Sequence, residues 1–142
     1  MSDLKLRILQ ILGPAQQASF ATLTGQGKPW VRYVFCQADE DLTVRFATFR
    51  DSRKVAQIRG NPEVHLTCGA GPGQPRYLQI QALAEFHTDP PELLRFWKDS
   101  LQCYFKGPDD PNYGVVVLRP YRIELCTPGS LTPEVWDKEG GP

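Results

Sequence analysis

The chain has 142 residues and a mass of 16.0 kDa, and 41% of its residues are hydrophobic, 11% aromatic and 23% charged. This length suits one domain with its own core, and the composition differs from that of disordered or collagen-like chains. Sixteen Lys and Arg residues balance sixteen Asp and Glu residues. The zero net charge argues against a nucleic-acid-binding protein, which needs an excess of positive charge. We therefore expect a single domain over residues 1–142.

The chain begins with a predicted helix and continues with closely spaced strands. Apolar residues recur at helical spacing in residues 3–12, and Gly13-Pro14 ends the helix, so residues 1–14 form an N-terminal helical segment. The β-prone runs that follow are 19–24, 29–37 and 42–48. The short turn-forming segments between these runs favour antiparallel hairpins, because parallel neighbours need a long crossover.

The rest of the chain is predicted to contain two helices and four strands. One helix covers residues 52–60 and ends at Asn61-Pro62, and another begins at Pro90. The second helix has an apolar stripe formed by Leu93, Leu94, Trp97 and Leu101. The predicted strands are 64–68, 76–88, 114–118 and 121–126, with a bend or bulge at Arg119-Pro120 between the last two. We expect the tail, residues 127–142, to be loosely held.

Six or seven strands that follow one another directly, with two or three helices, favour a small antiparallel β-barrel flanked by helices. No apolar run approaches the roughly 20 residues of a membrane span, and the N-terminus lacks a secretory pattern. Four cysteines lie far apart in the sequence, and neither they nor His65 and His87 have metal-ligand spacing. We expect a soluble cytoplasmic protein with reduced cysteines that binds no metal, membrane or nucleic acid.

The most informative local feature is a basic cluster that runs from Arg45 to Arg59. It holds Arg45, Arg50, Arg53, Lys54 and Arg59 against the single acid Asp51, a local charge of +4. Ser52-Arg53-Lys54 coincides with a predicted helix start, where free N–H groups and the helix dipole attract anions. Ser52 can cap the helix or bind an anion, while Arg53 and Lys54 supply charge. Phosphate is the expected ligand, and the alternative is a capped surface helix with solvated charges.

A second candidate is Arg32, in the middle of the strand 29–37. Side chains alternate along a strand, which places Arg32 on one face with Trp30, Val34 and Cys36. Such an arginine extends to the surface, pairs with a carboxylate, or points toward the same anion as the basic cluster. No residue has the sequence context of a nucleophile or general base, so the catalytic residues stay unassigned.

These dispersed features resemble the flavin-binding segment of the pyridoxamine 5'-phosphate oxidase-like split-barrel family. The matching motifs are Pro29-x-x-Arg32, Phe46-Ala47-Thr48, Ser52-Arg53-Lys54, Gln57-Ile58 and Asn61-Pro62. Two later motifs resemble the general stress protein branch, namely Tyr104-Phe105-x-Gly107-Pro108-Asp109-Asp110-Pro111 and Arg119-Pro120-x-x-Ile123-Glu124. The resemblance extends from Ala15 to Cys126.

The resemblance implies a six- to seven-stranded antiparallel split barrel that forms a homodimer and binds FMN at the subunit interface. It implies that Arg32, Ser52, Arg53 and Lys54 surround the FMN phosphate. It also implies that Phe46, Ala47 and Thr48 run beside the flavin and ribityl chain, and that Tyr33 and Val34 approach the ring edge. The expected function is that of a flavin-dependent oxidoreductase of unassigned substrate, with a small-molecule or nicotinamide reductant.

Three departures argue against pyridoxamine phosphate oxidation. Gln37 occupies the position where the oxidases carry a lysine for the substrate phosphate, and Arg76-Tyr77 lies near the position of their flavin-contacting glutamine. Their C-terminal Trp and Arg-Leu-His segment has no counterpart after Cys126. The alternatives are a non-enzymatic protein that stores, carries or senses flavin, a relative that binds deazaflavin or haem, and a β-barrel interaction module for an acidic partner.

Overall fold

The computed structural model describes residues 2–139 and contains three α-helices and seven strands within them. The helices are α1 (Asp3–Leu12), α2 (Arg53–Gly60) and α3 (Pro90–Phe96), the last followed by a 3₁₀ helix (Asp99–Cys103). The strands are β1 (Gln16–Leu23), β2 (Pro29–Ala38), β3 (Val44–Phe49), β4 (Glu63–Gly71), β5 (Gln74–His87), β6 (Tyr113–Cys126) and β7 (Glu134–Asp137).

The seven strands form one antiparallel sheet in the order β3-β2-β1-β4-β5-β6-β7, and β3 also pairs with β6. The second pairing closes the sheet into a barrel. The closure is uneven, because β3 pairs with β6 over six residues but with β2 only through Gln37–Arg45 and Ala38–Val44. Beyond these two pairs β2 and β3 separate. This geometry confirms the predicted antiparallel split barrel.

The barrel interior and the outer side of β6 each hold a hydrophobic cluster. Alternate strand residues point inward, where Phe20 and Phe46 pack edge to face at 5.1 Å and α1 contributes Ile8 and Leu12. Every residue of β6 from Tyr113 to Leu118 is buried. One side of this segment faces the barrel, and the other packs beneath α3 and Phe105. Helix α3 therefore covers part of the barrel's outer surface.

Several element boundaries differ from those predicted. The segment 69–75 is mostly strand, because β4 and β5 continue to a short turn after Gly71. Residues 114–126 form one strand, and the predicted irregularity is a bulge opposite Gln81 and Ala82. The apolar stripe prediction was wrong at Leu94, whose side chain is 65% exposed, because α3 ends at Phe96 and is too short to present four stripe positions.

Part of the tail is held against the barrel, which corrects the expectation for residues 127–142. Residues 134–137 form β7 on the edge of β6, and Trp136 packs against the main core. Arg7 of α1 binds Glu134 through a 2.6 Å ion pair. Residues 140–142 and Met1 lie outside the described part of the chain. Within residues 2–139, no helix is long and apolar enough to cross a membrane.

Candidate functional site

The gap between β2 and β3 is the structural basis of the candidate site. Residues 29–36 of β2 pair with β1 on one edge and have no partner among the described strands on the other. Strand β3 likewise turns its free edge toward this gap. The helix α2 begins four residues after β3 ends. Unpaired strand edges expose backbone N–H and C=O groups, which can bind a polar ligand.

Arg32 lies on the barrel side of β2, as strand alternation predicted. Its Nη1 donates to Thr22 Oγ1 at 2.8 Å and its Nη2 donates to Gln57 Oε1 at 2.8 Å. Both acceptors are neutral, so the contacts fix the guanidinium without compensating its charge. Burial, followed by the nearby charge of Arg53, lowers the pKa of Arg32.

The start of α2 is free of the side-chain cap that its sequence favours. Ser52 has the extended backbone of an N-cap residue, but its hydroxyl does not bond a helix N–H group. The Ser52 hydroxyl lies 3.4 Å from the Thr48 hydroxyl instead. The first N–H groups of a helix have no intrahelical acceptor. At the start of α2 the Val55 N–H donates to the Ser52 carbonyl at 3.2 Å, whereas the N–H groups of Arg53 and Lys54 have no backbone acceptor shown within residues 2–139 and are available to a ligand.

Lys54 points back from α2 toward β3. Its Nζ donates a 2.9 Å hydrogen bond to Thr48 Oγ1, and the side chain is half-buried. Burial lowers the pKa of Lys54, and the charge of Arg32 lowers it further. The neighbouring Arg53 side chain is exposed. Arg32, Arg53 and Lys54 therefore form a cluster of positive charges that repel one another, and we call it the cation cluster.

Among the residues that the structure describes, no ion pair compensates the charges of the cation cluster. None of the ion pairs shown among residues 2–139 involves Arg32, Arg53 or Lys54. Desolvated cations without a counter-ion are costly, and an anion that binds between them removes the cost. The start of α2 adds N–H groups and the positive end of a helix dipole. The site is therefore suited to a phosphate group.

The remaining basic residues of the predicted +4 segment face elsewhere. Arg45 binds Glu92 at 3.0 Å and also pairs with Asp39. Arg50 donates to the carbonyl of Tyr113 at 2.8 Å, and Arg59 lies over the Phe86 ring at 5.3 Å. The sequence count therefore overstated the local charge, because three of its five cations have partners outside the site.

The side chains of the other expected site residues point in several directions. Val34 and Phe46 are buried in the barrel core, at 7% and 1% exposure, whereas the Tyr33 side chain is 72% exposed on the outer face. Ala47 packs against the outer cluster. Only Thr48 brings its side chain to the cation cluster. Residues 33–34 and 46–47 can reach the gap through their backbone, but Val34 and Phe46 cannot offer their side chains.

Thr22 and Gln57 are functional candidates that the sequence did not assign. Together they hold the Arg32 guanidinium, and the Thr22 hydroxyl also donates to Gln57. Gln57 belongs to a quoted motif, but its spacing gave no sign of its contact with Arg32. Thr22 lies on β1, and only the pairing of β1 with β2 brings it to the site.

A second concave feature lies on the outer face of the sheet, across β1, β2, β4 and β5. The groove has a volume of about 390 Å³, with Tyr33 and Tyr77 in its walls and hydroxyls of Ser19 and Thr67 in its lining. Its lining includes Tyr77, which by the resemblance lies near the position of the flavin-contacting glutamine of the oxidases. Arg76 bonds Gln74 at 3.0 Å and does not line this groove.

Comparison with known protein families finds a match that covers most of the chain. Residues 5–127 match the family described as pyridoxamine 5'-phosphate oxidase. The chain belongs to this family. General stress protein 26 of Bacillus subtilis (strain 168) is 31% identical over 134 residues, which cover 92% of this chain and 94% of that protein. The chain therefore resembles the general stress protein branch of the pyridoxamine 5'-phosphate oxidase family.

Solved structures show how widely the family fold is used. General Stress Protein 26 from Bacillus anthracis str. Sterne has a TM-score of 0.82 and 26% identity, over 96% of this chain and 99% of that chain. An F420 reductase has a TM-score of 0.65 and 25% identity, and the match covers 81% of this chain and 94% of the reductase. A fold at TM-scores of 0.69 is shared with an FMN binding protein from Nostoc punctiforme PCC 73102 and a heme binding protein from Mycobacterium smegmatis. The FMN binding protein is 16% identical, and the match covers 85% of this chain and 79% of that chain. The heme binding protein is 17% identical, and the match covers 88% of this chain and 54% of that chain.

Proposed function

We propose that this chain binds FMN and holds its phosphate at the cation cluster. The observation that carries the proposal is that Arg32, Arg53 and Lys54 converge at the start of α2 and form no ion pair with a carboxylate of the described residues. A phosphate supplies the missing negative charge and accepts hydrogen bonds from Ser52 and the helix N–H groups. Membership of the pyridoxamine 5'-phosphate oxidase family supports the proposal.

The rest of the cofactor would be held by the gap between β2 and β3. The backbone of residues 33–34 and 46–48 offers hydrogen-bonding groups along the unpaired strand edges. Bound flavin supplies one- and two-electron transfer, and the protein supplies binding, orientation and electrostatics. Thr48 orients the Lys54 ammonium, while Thr22 and Gln57 orient the Arg32 guanidinium.

We propose that the protein acts as a flavin-dependent oxidoreductase, with the substrate and reductant unassigned. A second candidate is a protein that stores, carries or senses flavin without turnover. This candidate is favoured by the placement of the histidines, because His87 is bound to Glu85 at 2.8 Å and His65 lines a small cleft on the outer face. Neither histidine contacts the cation cluster, and pyridoxamine phosphate oxidation is not proposed.

We further propose that the functional unit is a cytoplasmic homodimer of single-domain chains, with the flavin at the subunit interface. On β2 the outward side chains Val31, Tyr33 and Phe35 are 64%, 72% and 65% exposed. A row of large apolar side chains on a sheet face is typical of a protein interface. The row lies on β2, the strand that also carries Arg32 and borders the gap.

The absorption spectrum of the purified protein, together with a titration of added FMN, tests this proposal. We expect flavin bands or quenching of FMN fluorescence at one FMN per chain. A deazaflavin or haem spectrum would assign the site to another cofactor, and no binding of any of the three would contradict the proposal. NADH or NADPH oxidation by the FMN-loaded protein distinguishes an oxidoreductase from a flavin carrier.

A further inference from the structure

The loop that leads into β6, residues 106–112, is fastened to the turn that precedes α2. Arg50 is the first residue of this turn, directly after β3. Its N–H group donates to the Asn112 carbonyl at 2.9 Å, and its Nε donates to the Tyr113 carbonyl at 2.8 Å. The first of these bonds continues the pairing of β3 with β6 by one residue. The position of Arg50 therefore depends on the position of the loop.

Asp110 holds this loop in a fixed shape. Its side chain is buried, with 7% exposure. Its Oδ2 accepts a hydrogen bond from the Lys106 N–H group and its Oδ1 accepts one from the Asn112 N–H group, both at 2.8 Å. One carboxylate thus joins the two ends of the loop. These hydrogen bonds, with a smaller contribution from the charges of Lys106 and Arg50, hold the pKa of Asp110 below its usual value.

The start of α2 depends in turn on the segment that precedes it. The helix has eight residues, and a helix of this length is marginal without tertiary contacts. Val55 and Ile58 bury its inner face, but the Ser52 side chain makes no capping hydrogen bond. The Ser52 N–H group donates to the Phe49 carbonyl at 3.2 Å, which ties Ser52 to the turn that Arg50 begins. This turn therefore sets the position of the first residues of α2.

We propose that Asp110 is a positioning residue of the cation cluster. Asp110 closes the loop, the loop holds Arg50, and Arg50 fixes the turn that presents Ser52 and Arg53 to a phosphate. Several donors must converge on one phosphate, so a small displacement of the turn weakens them together. The inference rests on the proposed function for the identity of the ligand, but the coupling of the loop to the start of α2 depends only on residues of this chain.

The first experiment compares FMN and riboflavin binding by Asp110→Ala in a fluorescence titration. We expect the Kd for FMN to rise by about fivefold or more and the Kd for riboflavin to stay within about twofold of wild type, because riboflavin lacks the phosphate. Asp110→Asn should lose less FMN affinity, since its amide oxygen replaces one of the two acceptors. The matched control is Asp109→Ala, which removes the same charge from an exposed neighbour in the loop and should bind both ligands like wild type.

Hydrogen exchange in cofactor-free protein tests the coupling without a ligand. The amides to follow by NMR are those of Arg50, Ser52 and Val55, which are hydrogen-bonded in the turn and at the start of α2. They should exchange about fivefold faster or more in Asp110→Ala than in Asp109→Ala. Amides of the central strand β5 report global opening and should exchange equally in the two variants.

Two results would overturn the proposal. One is an equal loss of FMN and riboflavin affinity in Asp110→Ala, or no loss of either, because neither is expected of a residue that positions the phosphate site. The other is equal exchange at the start of α2 in Asp110→Ala and Asp109→Ala. If Asp110→Ala does not fold, Asp110→Asn carries both tests. If wild type does not bind FMN, the proposed function fails, and the exchange comparison still decides whether Asp110 positions the start of α2.

Discussion

Lys54 Nζ and Thr48 Oγ1 are joined by a 2.9 Å hydrogen bond across the turn between β3 and α2. This contact directs a half-buried ammonium toward Arg32, a residue of like charge. A fold selected only for stability would not bring two desolvated cations together. The arrangement is typical of a binding site, where a destabilising charge cluster is retained because the ligand compensates it.

Lys54→Met should therefore separate stability from binding. Met keeps most of the side-chain stem but removes the charge, so the cofactor-free variant should unfold at a denaturant concentration at least as high as wild type. FMN at 100 times its Kd should stabilise wild type by about 2.7 kcal/mol. At the same FMN concentration the variant should gain less than about 1.5 kcal/mol, because its Kd is at least tenfold higher.

Chemical denaturation with and without FMN measures both quantities. Lys28→Met is the matched control, because Lys28 is an exposed lysine in the turn between β1 and β2. It should leave both the stability and the FMN effect unchanged. A cofactor-free Lys54→Met that is clearly less stable than wild type would show that Lys54 has a structural role instead.

Arg53→Ala should weaken FMN binding while leaving riboflavin binding unchanged. The Arg53 side chain is exposed at the start of α2 and is proposed to bind the phosphate, which riboflavin lacks. A lost hydrogen bond to a charged group costs about 1.5–3 kcal/mol, or about ten- to 150-fold in Kd. Fluorescence titration with both ligands gives the ratio. Arg59→Ala, near the C-terminal end of the same helix, is the control, and equal losses for both ligands would refute the phosphate assignment.

Gln57→Leu tests how Arg32 is held. The Gln57 amide oxygen accepts hydrogen bonds from Arg32 Nη2 and Thr22 Oγ1, so leucine of similar size leaves two part-buried donors without this acceptor. We expect the free energy of unfolding to fall by about 1–3 kcal/mol. FMN binding should weaken as well, because the guanidinium loses its orientation. Urea denaturation and FMN titration measure the two effects, and a variant with wild-type FMN affinity would contradict the positioning role of Gln57.

Local patterns in the sequence predicted the architecture better than the site. Alternation placed Arg32 on the inner face of β2 with Val34 and Cys36, and turn residues predicted the hairpins. The count of charges between Arg45 and Arg59 overestimated the positive charge of the site. Arg45 is paired with Glu92, which is 47 residues away in the sequence and was not part of the count. Ion pairs between distant elements depend on how α3 packs against the barrel, which no local pattern contains.

The same limit applies to the tail and to Asp110. Strand β7 is only four residues long, and it forms because it pairs with the edge of β6. The sequence of the tail alone therefore indicated a loop. The hydrogen bond between Arg50 Nε and the Tyr113 carbonyl joins residues 63 positions apart. Only the three-dimensional arrangement shows that the loop of Asp110 lies against the turn before α2.

Phe35→Lys should convert the proposed homodimer into a monomer. The Phe35 side chain is 65% exposed in the row that it forms with Val31 and Tyr33, and a lysine there would leave a charge in an apolar interface. FMN affinity should fall at the same time if the interface completes the flavin site. Sedimentation velocity measures the mass, and Leu94→Lys is the control, since Leu94 is also 65% exposed but lies on α3. A monomeric wild type that binds FMN normally would contradict the interface proposal.

We expect the free energy of unfolding to decrease in acid because of Glu92. Burial by itself would raise the pKa of Glu92, but hydrogen bonds from Arg45 and Arg95 outweigh it and hold the pKa below its usual value. The folded state thus keeps the carboxylate charged at a pH where the unfolded chain binds a proton. The resulting stabilisation is complete above about pH 5 and decreases as the pH falls below about 4.5 toward the lowered pKa.

Glu92→Gln should remove this contribution and flatten the pH dependence. The variant leaves Arg45 with Asp39 as its charged partner, so the free energy of unfolding at pH 7 should fall by about 3 kcal/mol, the lower end for a broken buried pair. The difference from wild type should shrink between pH 5 and pH 3. Urea denaturation across this range measures it, with Glu40→Gln as an exposed control. A constant difference at all pH values would mean that Glu92 contributes through packing and not through its charge.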